Sequence, residues 1–197
     1  MSYSDFTLEA LKKNFNLNIV EVSGFLQGES TVASSWLNET LRRNLPLATA
    51  INTEKARSEF LIAPILGDLK ENNPEISLFS GTEFNVDSTK GLNGVCDFLI
   101  SKSSEQLSIE APVAVIVEAK KENLNAAIPQ CISAMLAAQI FNFNKDNQIK
   151  SIYGVVTTGS IWRFLKLESN TVTIDFKEIY LTPIDILLSL LKATISN

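Results

Sequence analysis

The chain of 197 residues contains no histidine. That absence removes Ser-His-Asp and Cys-His catalysis, histidine general bases and histidine-ligated zinc together, which leaves chemistry to carboxylates, lysine and a metal ion. Cysteine is nearly absent as well. Cys96 and Cys131 follow no metal-ligand spacing and stand among apolar neighbours, so two small buried thiols are expected rather than a disulfide. A basic excess is also missing: 17 Lys and Arg stand against 22 Asp and Glu, giving a formal charge of −5. Proteins that grip phosphates usually show the opposite balance, so this counts against nucleic acid. No apolar run approaches the roughly 20 residues that span a bilayer, and "MSYSDFTLEALKK" lacks the basic-then-apolar order of a secretion signal. A soluble cytoplasmic protein with no membrane association is the expectation. Internal repeats and low-complexity tracts are absent too.

What is present suits an ordinary folded protein. Hydrophobic residues make up 45% and charged residues 20% of a chain long enough for one real core and too short for two. A single domain over 1–197 is expected, with an N-terminal extension over 1–50, a core over 50–165 and a closing strand and helix over 166–197.

Hydrophobic spacing predicts the elements in order. Residues 4–14 read as a helix and "LNIVEV" as a short strand. Ser34 or Ser35 caps a helix from Trp36 to Leu45 that Pro46 breaks or kinks, and another helix begins near Thr53. In that second helix Ile62, Leu66 and Leu69 recur at helical intervals, and Glu59 falls on the same face, so a carboxylate is expected to point inward. Pro64 should bend it. Three strands follow, at 76–86, 94–101 and 113–121, forming a meander by the length of their connections. "GVCDFLI" and "VAVIVEA" are apolar on both alternating faces and read as central strands. A helix from Leu124 carries Leu124, Ile128, Cys131, Met135 and Ala138 on one stripe, capped by Asn123 or Asn125. The segments 151–169 and 171–181 read as a hairpin, and a helix starting at Pro183 closes the chain. The helix, strand and helix order predicts an α/β layered domain with a mixed sheet.

Strand alternation places Ala114, Ile116, Glu118 and Lys120 on one face of the third strand, with Val113, Val115, Val117 and Ala119 on the other. Asp97 is a lone carboxylate in an apolar strand, and needs a cation or a strong donor to offset the several kcal/mol, roughly, of burying it alone. An acid-x-lysine triplet occurs three times: Asp68 with Lys70, Glu118 with Lys120, and Asp175 with Lys177. The first reads as a solvated helix end and the third as a polar outer face. Only the middle one ends a doubly apolar strand and follows a strand with a buried aspartate. A same-face ion pair is the plain alternative for Glu118 and Lys120, and a partly buried helix acid the plain alternative for Glu59.

The arrangement of Glu59 on a helix, Asp97 in "GVCDFLI", Glu118 and Lys120 in "VIVEAK" and Gln130 on the next helix resembles the PD-(D/E)XK, or restriction-endonuclease-like, nuclease superfamily over residues 50–165. The phrases "LNGVCDF", "VIVEAK" and "YGVVTTG" are similar to those of small proteins placed there, mostly uncharacterised. No proline precedes Asp97, where the family's name writes one. The resemblance implies an αβββαβ core with a mixed sheet flanked by helices. It further implies a Mg²⁺-dependent or Mn²⁺-dependent hydrolase, endonuclease or exonuclease, acting on phosphodiester bonds with nucleic acid, DNA foremost, as partner. Asp97 and Glu118 would ligate the ion directly, the Ala119 carbonyl would add a third ligand, and Glu59 would hold a water or a second ion. Carboxylates without nitrogen or sulfur donors suit such a hard cation. Lys120 would orient the attacking water or offset transition-state charge, and Gln130 would position the water or a phosphate oxygen. An RNA nuclease and a non-catalytic binding or assembly module remain the competing readings. The terminal helix reads as core, and also suits a contact between two copies in a homodimer.

Overall fold

Side-chain caps begin four helices of the computed structural model, which describes residues 2–196. Thr7 caps α1 (Leu8–Phe15), Ser34 caps α2 (Ser35–Ile51), Thr53 caps α3 (Glu54–Arg57) and Asn123 caps α5 (Leu124–Asn144). Each cap oxygen accepts an otherwise orphaned first-turn N–H. α2 continues through Pro46 instead of ending before it, because Leu37, Leu41 and Ala48 share one buried face that outweighs a single lost backbone bond.

α3 continues through a π-helical turn, Ser58–Ile62, into α4 (Ala63–Glu71). Pro64 causes no break there. The carbonyl of Phe60, which Pro64 has no N–H to reach, accepts the Asn44 amide at 3.0 Å. The wide turn also shifts the helical phase, so spacing counted from Glu59 onto Ile62 and Leu66 does not hold across it.

Eight strands build one open mixed sheet: β1 (Asn18–Val22), β2 (Ser77–Glu83), β3 (Val95–Ser101), β4 (Val113–Ala119), β5 (Ile152–Thr157), β6 (Ile161–Glu168), β7 (Thr171–Asp175) and β8 (Ile179–Tyr180). The spatial order is β1-β7-β6-β5-β4-β3-β2, with the short β8 beside β6. β2, β3 and β4 form the expected antiparallel meander. α5 then crosses over and returns the chain as β5, parallel to β4. The region read as one arm of a hairpin holds two strands, β5 and β6, because Gly159 takes a φ of 79° and lets the chain reverse within "TTGS".

Both faces of the sheet are covered. α2, α4 and α6 (Ile184–Ser196) pack on Phe98, Ile100, Val115, Val117 and Phe164, whereas α5 packs on Leu99, Ile116, Val156 and Leu165. A bulge near Ser101 shifts the β3 and β4 register, and Ala114 turns to the α2 side while Val113 turns to the α5 side. Simple alternation assigns those two residues the other way, since a bulge reverses parity on one side of itself. α5 is buried on more than a stripe, because the N-terminal residues lie over its outer surface, with Ser133 against the Tyr3 carbonyl. It is also long and apolar enough to cross a bilayer by length and composition, contrary to the sequence expectation, and is mostly buried between sheet and N-terminus.

Two amide side chains finish what backbone pairing leaves open. Asn142, on α5, accepts the Val113 N–H at 2.7 Å and donates to the Val113 carbonyl at 2.8 Å. Asn142→Leu strands both groups without water and is expected to cost about 3 kcal/mol, read as a lower chemical-denaturation midpoint at unchanged slope. At the sheet margin Gln106 does the same for β2, donating to the Leu78 carbonyl at 2.7 Å and accepting the Leu78 N–H at 3.2 Å.

Candidate functional site

β3 and β4 pair with Phe98 opposite Val117 and Leu99 opposite Ile116, and one further step along that register sets Asp97 beside Glu118. Asp97 is half-buried, and its Oδ2 accepts the Ala119 N–H at 2.8 Å. This is the strong donor that a carboxylate in an apolar strand requires.

Glu118 has 0% of its surface exposed. Its Oε2 accepts the Gln130 amide of α5 at 2.7 Å, while Oε1 is buried without any partner. Burial pushes the carboxyl well above the usual carboxylate range. Asp97 raises it further, through its charge and by offering an oxygen to the protonated form; the Lys120 charge opposes this, and the more distant Glu54 adds to it. A carboxyl that loses its proton here therefore needs a cation at Oε1.

Asp97, Glu118, Lys120 and Gln130 are thus brought to one place, at the ends of β3 and β4 under the first turns of α5. Lys120, half-buried, is fixed by its own N–H, which donates to the Thr157 carbonyl at 2.8 Å. Ala119 contributes its N–H to Asp97. Glu59 is not part of the group: its side chain is exposed and pairs with Lys55 at 3.3 Å on the outside of the helix. The expectation of an inward Glu59 is corrected by the π-helical turn, Ser58–Ile62, in which it lies. The helical acid whose charge reaches Glu118 is Glu54, in the first turn of α3. Spacing gave no reason to choose it, since an acid just after a Thr cap is an ordinary complement to a helix N-terminus.

The other two triplets are also more buried than their sequence contexts indicate. Asp68 is buried and accepts the Ser34 hydroxyl. Asp175 is buried and gathers the N–H groups of Gly24, Phe25 and Lys177 at 2.8, 3.1 and 2.9 Å. Both hold loops in place. What distinguishes Glu118 is that one of its oxygens has no donor at all.

Cys96 and Cys131 are free and buried near this centre. Burial first, then the Glu118 charge, push both thiols up, so they remain neutral packing groups. Among the described residues no three Asp, Glu, His or Cys side chains converge closely enough to cage an ion. The two acids that do meet still fit a hydrated divalent cation, because Mg²⁺ is commonly held by one or two carboxylates and keeps several waters. A cavity of about 560 Å³ lies elsewhere, near the far end of α5 against Gln139, Phe143 and Lys150.

The chain matches no protein-family model, no curated protein and no solved structure.

Proposed function

We propose that the protein is a Mg²⁺-dependent or Mn²⁺-dependent nuclease of the PD-(D/E)XK type, with Asp97 and Glu118 holding the ion. The observation that carries this reading is the buried Glu118 carboxyl, with one oxygen fixed by Gln130 and the other left without a partner beside Asp97. The helix, meander, crossover helix and parallel strand support it as well, since they set those groups in the order the resemblance implies.

Each residue then has a physical task. Gln130 fixes the Glu118 carboxylate and leaves Oε1 for the ion. The Ala119 N–H orients Asp97, and the Ala119 carbonyl remains the proposed third ligand. Lys120, whose charge already acts on Glu118, offsets negative charge building up on a phosphate and orients the attacking water. A bound divalent ion would polarise the scissile phosphate and acidify a water.

The test needs no substrate. Titrating Mn²⁺ or Mg²⁺ should raise the melting temperature by roughly 5–10 °C once the ion exceeds its dissociation constant a hundredfold. Asp97→Asn should abolish the rise. A flat titration, together with no cleavage of DNA or RNA, would instead favour a non-catalytic binding or assembly module. That second reading has its own support in the convergence of only two acids and in the net charge of −5.

A further inference from the structure

Residues paired across adjacent strands share a face, so Glu118, its partner Val156 on β5 and Arg163 on β6 form one row on the α5 side of the sheet. Two strand spacings, roughly 10 Å, separate the Cα atoms of the acid and the arginine. Arg163 is only 7% exposed. Its guanidinium donates to Asn125, in the first turn of α5, at 2.6 Å and to Glu178 at 3.0 Å, while its Nε is buried without a partner. Over it lies the Phe176 ring, with the guanidinium carbon 5.4 Å from the centroid. Phe176 is nevertheless 47% exposed, so one ring face meets the cation while the other side opens to solvent. Tyr180 is 57% exposed and stands opposite Ile161, which alternation puts on the same face as Arg163.

We propose that Phe176 and Tyr180, backed by Arg163, form a stacking platform for unpaired bases beside the acid pair. The nucleic acid held there is single-stranded or locally opened. The proposal takes its ligand class from the nuclease reading. A duplex hides its base faces, whereas an unpaired strand offers them for stacking on exposed rings. A cation behind one face of a ring draws electron density from the other, which favours contact with an electron-rich base. Glu178 adds no free anion to repel the strand, because Arg163 is paired with it at 3.0 Å.

Fluorescence anisotropy tests this with the full-length protein in EDTA, where cleavage cannot occur. The probes are a labelled mixed-sequence single-stranded DNA oligonucleotide, its RNA equivalent and the matching DNA duplex. The wild type should bind at least one single strand more tightly than the duplex. Phe176→Leu and Tyr180→Leu, which keep apolar bulk without a π-face, should each weaken that binding about fivefold or more. Both variants should keep the wild-type melting temperature within a few degrees and the same response to Mn²⁺. Equal or tighter duplex binding, no binding to any probe, or leucine variants that bind like the wild type would overturn the platform. Failure of the metal reading looks different: a flat Mn²⁺ titration with single-strand binding intact removes the nuclease and leaves the platform standing.

Discussion

On the proposed nuclease reading, asparagine or alanine at Asp97 is expected to lower metal-dependent cleavage about a thousandfold or more. The two variants separate charge from structure. Alanine removes both the charge and the acceptor of the Ala119 N–H, so it also leaves a half-buried donor unpaired and costs about 1–2 kcal/mol of stability. Asparagine keeps an oxygen at that position and should fold like the wild type, yet it cannot supply an anionic ligand. Loss of activity in both, with stability lost only in alanine, assigns the effect to the carboxylate. Rates would be measured on labelled DNA and RNA in Mg²⁺ and in Mn²⁺. An asparagine variant that cleaves at the wild-type rate ends the proposal that Asp97 binds the ion.

Glu118→Gln should work in the opposite direction on stability. The folded-state carboxyl is raised above its unfolded value by burial and then by Asp97. Its contribution is therefore complete below the ordinary carboxylate pKa and is lost as pH rises through the raised folded value. Glutamine cannot ionise, still offers an oxygen to Gln130 and can donate an N–H toward Asp97. In metal-free buffer the variant should equal the wild type at low pH and exceed it by about 1–4 kcal/mol at pH 8. Denaturation curves at several pH values would show the gap opening as the wild type loses stability. Adding Mn²⁺ should close the gap by rescuing only the wild type. A gap that is constant with pH would mean that Glu118 has the same pKa folded and unfolded, and that burial does not raise it.

Much of this arrangement was legible from residue patterning because local rules and tertiary packing agreed. The two apolar strands, the helix starts near Ser34 and Thr53 and the meander followed by a crossover helix all follow from period, punctuation and connection length. Asp97 and Glu118 stood out for the same reason, as acids in strands with no polar face to receive them. The failures share a different origin. Glu59 and Ala114 were misplaced by a π-helical turn and a β-bulge, each of which inserts residues that pattern counting does not detect. Local pattern marks Asp68 and Asp175 as solvated, yet each organises a distant loop through hydrogen bonds that join residues 34 and 151 positions apart in the chain. Such partners leave no local trace. Glu54 acts on Glu118 across space, and no spacing could single it out.

The amide of Gln106 has a consequence for the protein's behaviour in concentrated solution. A bare strand margin offers N–H and carbonyl groups that another molecule can copy, which is the first step of self-templated growth. By occupying both groups of Leu78, one glutamine in the polar loop between β3 and β4 denies that rail to a neighbour's backbone. The loop thus has a duty unrelated to chemistry, and changes in its length are tolerable only where a side-chain amide still reaches the same residue.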